Sequence, residues 1–327
     1  MPPLSPSEPG FEPLRILVTG ATGFVGRRVV ARLAAAGHAV GAVAIDQHEL
    51  PAAAVRFSVD IRDLAALSGV VDRFAPERIL HLAALSHVGE SWRRIPEYFA
   101  VNVLGVEHVV TSARGCPLIF MSSAEVYGLV PDTAQPIPES RQVAPRTPYA
   151  LTKAAAERLA LAAGATVVRS FNLIGAGQAP SFALPSFAAQ LAAIESGAPA
   201  VLSVGNLSAR RDFVHIDDAV TALAGLAERP RPGEIYNLAS GEDHSIAQLL
   251  SRLVALSGLA VRLEEDPEKL RPVDVPRLCG DAARLRALGW APERGVEAAL
   301  GDLLAEARDH RKARKTVAAS AAGGPPA

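Results

Sequence analysis

The sequence contains few cysteines and no excess of charge of either sign. Its two cysteines, Cys116 and Cys279, lie far apart in apolar segments and lack the spacing of metal ligands. We therefore expect them to pack as small hydrophobic side chains in a reducing compartment, and we expect no metal site. Lys and Arg number 33 against 34 Asp and Glu, which gives a net charge of −1. Without a basic surface to hold phosphates, we expect no nucleic-acid partner.

A long apolar run is also missing. The stretch 29–45 is interrupted by Arg32, Gly37 and His38, so it predicts a helix, a turn and a strand, and not a membrane span. The N-terminus lacks both the basic and the apolar region of a signal peptide. These absences predict a cytoplasmic protein with no membrane partner. Residues 1–12, which are rich in proline, and 311–327 are predicted to be disordered.

Short apolar strands alternate with helical patterns over residues 13–170. Strands that are apolar on both faces and alternate with helices predict an α/β fold with a doubly wound parallel (Rossmann) sheet. The predicted strands are 14–18, 39–44, 55–59, 79–82, 118–121 and 166–168, and the predicted helices are 24–36, 63–74, 96–113 and 149–163.

Beyond residue 170, proline and glycine break this regularity, and a helical group follows at 245–308. We therefore predict a dinucleotide-binding domain at 13–170. Residues 171–310 would form a smaller C-terminal substrate-binding lobe, with some of the chain returning to the first domain.

A glycine-rich turn joins the first strand to the first helix. Gly20, Gly23 and Gly26 recur at every third position, and Thr22, Phe24 and Val25 lie between them. Residues without a Cβ permit a tight turn and the close approach of a pyrophosphate, and a helix N-terminus offers free N–H groups to it. The turn therefore predicts a dinucleotide cofactor.

Acidic residues follow the next two strands. Asp46 is placed to accept the hydroxyls of an adenosine ribose and to repel a 2′-phosphate. Arg27 and Arg28 could offset that repulsion, so the cofactor is predicted to be NAD(H) or NADP(H). Asp60, followed by Ile61, could contact the adenine amino group or cap the next helix. After the fourth strand, Leu82, Ala83 and Ala84 are expected beside the cofactor.

Tyr149 and Lys153 are four residues apart in a predicted helix and would therefore share one face. A cation beside a phenol lowers its pKa from about 10, and a value of roughly 7 would require about 4 kcal/mol of differential interaction. A phenol tuned in this way can act as a general acid or base at neutral pH.

The glycine turn, a strand that ends in Ser122-Ser123, and the Tyr149/Lys153 pair together resemble the extended short-chain dehydrogenase/reductase family. That family acts on nucleotide sugars, and the resemblance covers residues 14–308. It implies that Ser123 hydrogen-bonds the sugar oxygen, with Ser122 as the alternative. It further implies that Tyr149 transfers the proton, and that Lys153 binds the nicotinamide ribose and tunes Tyr149.

The resemblance also implies the substrate contacts. Asn172, Arg211 and Arg271 match positions near the sugar-nucleotide phosphates, and Ser86 and His87 match positions that face the hexose. As in the family's dimers, the helices predicted at 96–113 and 149–163 would pair with their copies in a homodimer.

The reaction is predicted from three longer runs. Residues 171–178, 204–213 and 270–276 resemble GDP-4-keto-6-deoxy-D-mannose reductases, which form GDP-D-rhamnose. Ala124 stands where many dehydratases have an aspartate. Glu125, however, matches the base of GDP-mannose 4,6-dehydratases, so a dehydratase is the first alternative and a 4-epimerase the second. A nucleotide-binding protein without activity is disfavoured because Ser123, Tyr149 and Lys153 are all present.

Overall fold

The computed structural model describes residues 12–270 and 272–322, and side chains as far as residue 313. The strands are β1 (Arg15–Thr19), β2 (Ala39–Ala44), β3 (Ala54–Ser58), β4 (Arg78–His81), β5 (Leu118–Ser123), β6 (Thr166–Ser170), β7 (Asn172–Ile174), β8 (Val201–Val204), β9 (Arg210–His215), β10 (Ile235–Leu238), β11 (Asp243–Ser245), β12 (Arg262–Glu265) and β13 (Arg277–Leu278).

The α-helices are α1 (Gly26–Ala35), α2 (Leu64–Phe74), α3 (Val88–Ser91), α4 (Ile95–Phe99), α5 (Gly105–Ala113), α6 (Pro148–Ala162), α7 (Ala183–Ile194), α8 (Ile216–Glu228), α9 (Ile246–Ser257), α10 (Ala283–Arg286) and α11 (Val296–Ala322). A π-helical turn at Ala100–Leu104 joins α4 to α5, and a 3₁₀ turn at Ala124–Tyr127 follows β5.

Seven parallel strands form the central sheet, in the order β10-β6-β5-β4-β1-β2-β3. Side chains alternate across it: Ile16 and Val18 of β1 belong to one core, with α1 and α8, whereas Leu17 belongs to a second core, with α2, α5 and α6. Both faces are therefore covered by helices, as the apolar strands require. The predicted doubly wound α/β fold is confirmed.

The chain beyond β6 contributes to two bodies. α8 and β10 join the central sheet and its helices, whereas α7, α9 and α11 pack with β8 and β9 around a third core. β9 pairs with β7, β11 and β13, and β8 pairs with β12. In the sequence, this smaller body begins with β7, directly after the carboxyl end of β6. The domain boundary at residue 170 stays a prediction.

Several predicted elements differ from those observed. The helix expected at 96–113 is interrupted by the π turn, which inserts an extra residue and turns Asn102 into the interior. The first helix begins at Gly26 and not at Phe24. The group predicted at 245–308 includes β12 and β13 as well as helices.

The chain ends also bear on the predicted disorder. Residues 1–11 lie outside the described part of the chain. The helix α11 continues to Ala322, so the tail predicted to be disordered from residue 311 is helical over its described part. That tail contains many alanines, which have the highest helix propensity and so favour a helix over disorder.

Candidate active site

The glycine turn packs directly on the backbone that follows β4. Gly20 has a φ of +66°, and a Cβ there would lie 2.7 Å from the Ala83 nitrogen. A Cβ on Gly26 would lie 2.1 Å from the Gly20 carbonyl oxygen. The Leu82 amide donates to the Thr19 carbonyl at 3.2 Å, which holds the two segments together. Two groups of predicted cofactor residues therefore meet at the N-terminus of α1, where only glycine leaves room for a close ligand.

The Asp46 carboxylate lies at the adjacent edge, just after β2. Its Oδ2 accepts the Thr22 hydroxyl at 2.9 Å, and its Oδ1 accepts the His48 amide at 3.0 Å. Burial raises the pKa of Asp46, but these hydrogen bonds outweigh it and leave the pKa below its usual value. Asp46 is therefore ionised at neutral pH and is fixed beside the glycine turn through Thr22.

Arg27 and Arg28, the cations proposed from the sequence, have partners beyond the glycine turn. Arg27 donates to the Gly177 carbonyl at 3.0 Å, and Arg28 lies 3.5 Å from Asp217. Arg56 of β3 instead contacts the loop, and its Nη1 donates to the Asp46 carbonyl at 2.8 Å. Arg56 is thus a cation near the predicted ribose site that the sequence patterns did not indicate, because it reaches Asp46 from a neighbouring strand.

Asp60 and Ile61 follow β3 at the same sheet edge. The Asp60 carboxylate accepts three hydrogen bonds from the Arg62 guanidinium, and this interaction holds the pKa of Asp60 below its usual value. Asp63, and not Asp60, caps α2 by accepting the Ala66 amide at 2.9 Å. Ile61 is buried against Gly105.

Ser123, Tyr149 and Lys153 meet at the carboxyl end of β5. Tyr149 and Lys153 lie on one face of α6, which begins with a Thr147 cap and Pro148. Ser123 ends β5, and its hydroxyl interacts with the Tyr149 phenol. The Lys153 ammonium donates to the Met121 carbonyl at 2.6 Å and lies 4.4 Å from the centre of the Phe120 ring. The three predicted catalytic side chains are therefore brought together.

The predicted lowering of the Tyr149 pKa is wrong for this structure. Burial raises the pKa of Tyr149 to about 12, and the interaction with Ser123 offsets this only in part. Burial also lowers the pKa of Lys153 to about 7. The spacing of the pair indicated a shared face but not the loss of solvent around both groups, which dominates the two pKa values.

The two serines that end β5 point in opposite directions. The Ser122 hydroxyl donates to the Glu157 carboxylate at 2.7 Å, away from Tyr149. The Ser123 hydroxyl accepts the Glu125 amide at 3.2 Å and caps the 3₁₀ turn. The Glu125 carboxylate is close enough to raise the pKa of Tyr149. Ser123 is thus the serine that shares the site with Tyr149.

A cavity of about 540 Å³ lies between the predicted substrate residues and the smaller body. Asn172, Arg211 and His87 line it, whereas Ser123 and Tyr149 do not belong to its described lining. The buried Arg211 donates to the Asp274 carboxylate at 2.8 Å. Arg93 and Lys269 add two further cations to the wall. The cavity can therefore accept a ligand with phosphate groups.

The remaining predicted substrate residues differ in position. The His87 Nδ1 accepts the Glu90 amide at 3.1 Å, so its Nε2 carries the proton and donates to the Ser181 carbonyl at 3.1 Å. His87 thereby joins the sheet edge to the cavity wall. Ser86 is exposed beside it. Arg271 lies outside the described residues.

One buried residue near the site was missed by the sequence patterns. Asn102, in the π turn, accepts the Leu85 amide at 2.8 Å and donates to the Leu85 carbonyl at 3.0 Å. It also donates to the Thr152 hydroxyl at 3.1 Å, within the helix that carries Tyr149. Asn102 therefore ties the segment after β4 to α6. A polar residue within an apolar helical pattern was the available signal.

The chain matches a known protein family. A sequence model of the NAD dependent epimerase/dehydratase family matches residues 16–239. The chain belongs to this family. The predicted extended short-chain dehydrogenase/reductase resemblance is thereby confirmed, and with it an enzyme that depends on NAD or NADP. Within the described residues, no helix is long and apolar enough to cross a membrane.

Individual relatives cover almost the whole chain. GDP-6-deoxy-D-mannose reductase from Pseudomonas aeruginosa is 34% identical over 304 residues, which are 89% of this chain and 96% of that protein. The structure of RMD from P. aeruginosa complexed with NADPH has a TM-score of 0.80 and 31% identity, and covers 91% of this chain and 99% of that one. The Thermus thermophilus UDP-glucose 4-epimerase complex with NAD has a TM-score of 0.82 and 28% identity, with 90% and 99% covered.

Proposed function

We propose that the protein reduces the C4 carbonyl of GDP-4-keto-6-deoxy-D-mannose to give GDP-D-rhamnose. The observation that carries this proposal is the similarity to GDP-6-deoxy-D-mannose reductase over nearly the whole of both chains. The bound nicotinamide cofactor, NADH or NADPH, would supply the hydride. The glycine turn, Asp46 and Lys153 would hold that cofactor, and the cavity would hold the nucleoside diphosphate through Arg211 and Asn172.

Tyr149 is suited to the proton transfer that this reduction requires. A phenol whose pKa is about 12 is protonated at neutral pH, so Tyr149 can donate its proton to the alkoxide that forms at C4. Ser123 would hold the same oxygen while negative charge develops on it, and such a donor stabilises the transition state more than the ground state.

A 4,6-dehydratase is the second candidate function, and Glu125 is the observation that favours it. The Glu125 carboxylate lies next to Ser123 in the chain and acts electrostatically on Tyr149. A carboxylate at that place could remove a proton from the sugar carbon next to the carbonyl. A 4-epimerase has the same Ser123, Tyr149 and Lys153 and is the third candidate.

One experiment separates these functions. The purified protein is incubated with GDP-mannose and NADH or NADPH, with and without a known GDP-mannose 4,6-dehydratase that supplies the keto sugar. We expect stoichiometric oxidation of the cofactor and formation of GDP-D-rhamnose only when the dehydratase is present. Conversion of GDP-mannose to the keto sugar without net cofactor use would favour the dehydratase. Formation of the C4 epimer of GDP-D-rhamnose would confirm reduction but show that the hydride reaches the opposite face of C4.

We further infer that the protein is a homodimer in the cytoplasm. Apolar side chains are exposed on neighbouring elements between α4 and α6, namely Phe99, Leu104, Leu151 and Leu159. Such a surface suits pairing with a second copy about a two-fold axis. The two unpaired cysteines, Cys116 and Cys279, support a reducing compartment.

A further inference from the structure

The helix α6 carries a third ionisable residue on the face of the catalytic pair. Tyr149, Lys153 and Glu157 are spaced by four residues, and each is at least nine-tenths buried. Residues four apart on a helix are neighbours. The reaction proposed above assigns roles to Tyr149 and Lys153, but it leaves the buried Glu157 carboxylate without one.

Glu157 is held in place by two neighbouring strands. The Arg169 guanidinium of β6 donates to both carboxylate oxygens, with Nη2 2.6 Å from Oε1 and Nε 3.2 Å from each oxygen. The Ser122 hydroxyl of β5 donates to Oε2 at 2.7 Å. Three donors therefore fix the carboxylate one helical turn beyond Lys153, so that it cannot rotate to solvent.

The groups around Lys153 leave Glu157 as its source of negative charge. Burial lowers the pKa of Lys153, and Glu157 acts against this by raising it. From β4, His81 faces the ammonium, and burial lowers the pKa of His81 to about 3, so this ring is neutral. Strand β5 contributes the Met121 carbonyl and the Phe120 ring, which are neutral.

We propose that Glu157 is a positioning residue that keeps the Lys153 ammonium charged inside the protein. Arg169 and Ser122 act by holding the Glu157 carboxylate at this place. The proposal rests on the role of Lys153 proposed above, because a charged Lys153 is what would bind the cofactor ribose. It adds to that role a reason why an ammonium persists at a site from which water is excluded.

The small number of lysines makes a direct test possible. The sequence contains only Lys153, Lys269, Lys312 and Lys315, so labelling lysine Cε with ¹³C gives four NMR resonances to follow against pH. The Lys153→Met variant identifies the Lys153 signal by its loss. This titration requires neither cofactor nor substrate, so it can succeed even if the proposed reaction is wrong.

Glu157→Gln is the decisive variant. Removing the carboxylate charge should lower the pH at which Lys153 titrates by at least roughly one unit. Two opposite unit charges one helical turn apart in a protein interior attract each other with about the corresponding free energy. Glu139→Gln is the matched control. Glu139 is also buried in the Arg169 network, where it accepts the Asn237 amide at 2.9 Å, but it does not act on Lys153. The control should leave the Lys153 titration nearly unchanged.

The double variant Glu157→Gln/Arg169→Gln removes both charges and leaves no unpaired charge buried, so it serves if Glu157→Gln does not fold. Lys153 should titrate at lower pH in this variant too, because Glu157 is the charge that acts on Lys153. NADPH affinity, measured by fluorescence, should fall most for Glu157→Gln at alkaline pH and recover towards acid pH. The proposal is overturned if Lys153 titrates as in the wild type in Glu157→Gln or in the double variant, or if Glu139→Gln shifts the titration equally.

Discussion

At the scale of single residues, Tyr149 and Lys153 share one buried site but have opposite protonation behaviour. Burial favours the neutral form of each, so it raises the pKa of the phenol to about 12 and lowers that of the amine to about 7. The phenol therefore stays protonated across the physiological pH range, whereas Lys153 titrates within that range.

Tyr149→Phe tests the phenol as proton donor. The variant removes one oxygen from a side chain that packs edge-on against Tyr98, so the fold and the affinity for NADPH should stay nearly unchanged. Turnover should fall by about 10²–10⁴-fold, which is the usual contribution of a positioned acid or base. Steady-state kinetics with the keto sugar, beside a fluorescence titration of NADPH, measures both quantities. Turnover equal to that of the wild type would reject the assignment.

Lys153 leads to a prediction about pH. Its charged form is present below a pKa of about 7 and is lost as the pH rises through that value. The kcat/KM should therefore decrease on the alkaline side, with a limb near neutral pH, because kcat/KM reports groups of the free enzyme.

Lys153→Arg is the control for that limb. A guanidinium stays charged to about pH 12 or above, so the variant should be less active but should have no limb near neutral pH. Profiles of kcat/KM from about pH 5 to about pH 9 give the comparison. An identical alkaline limb in Lys153→Arg would mean that another group titrates.

At the scale of elements, the turn between β1 and α1 depends on the absence of side chains. Gly26→Ala places a Cβ 2.1 Å from the Gly20 carbonyl oxygen, so the turn must open. We expect a loss of about 1–3 kcal/mol in the free energy of unfolding, as for other overpacked sites, and weaker binding of NADPH. Urea unfolding and fluorescence titration measure the two effects.

Gly69→Ala is the matched control, because Gly69 lies within α2 and a Cβ there meets nothing within 4 Å. Alanine is a better helix former than glycine, so this variant should be more stable by about 0.5–1 kcal/mol and should bind NADPH normally. If both variants lost stability equally, steric overlap at Gly26 would not be the cause.

The elements that were predicted correctly are those that local sequence determines. The strand β2 was predicted at its observed bounds, because Gly37 and the Asp46 loop mark both ends of the apolar run in the local sequence. The glycine turn and the α6 pair were found for the same reason. The π turn was not, because its inward-facing Asn102 is stabilised by Leu85 and Thr152, which are distant in sequence.

The sequence was sufficient to predict which residues form the site. It was not sufficient to predict their burial or their contacts with other strands. The Tyr149 pKa depends on burial, and the Glu157 carboxylate depends on Arg169, which arrives from another strand. Arg56 reaches the Asp46 loop in the same way. Such contacts between strands have no local sequence signal, which is why the pattern of Tyr149 and Lys153 predicted the wrong direction for the phenol.

At the scale of the whole molecule, the exposed apolar residues of α4 to α6 include residues of the helix that carries Tyr149 and Lys153. Tyr149 and Lys153 face inward from α6, whereas Leu151 and Leu159 are 47% and 37% exposed on that helix. A stable interface buries about 1,600 Å² in total and has an apolar centre, which this surface could supply. Pairing there would brace the helix that carries the site.

Light scattering at micromolar concentration should therefore give twice 34.1 kDa. Leu151→Glu places a charge at the centre of the proposed interface, so it should shift the population towards monomer, because an unpaired charge is costly to bury. Leu256→Glu, on α9, is the control: Leu256 is 52% exposed but lies outside this surface, so the variant should remain dimeric. A wild-type monomer would refute the dimer, and equal dissociation of both variants would place the interface elsewhere. Since α6 carries Tyr149, monomeric Leu151→Glu should also lose some turnover, which would link assembly to the catalytic site.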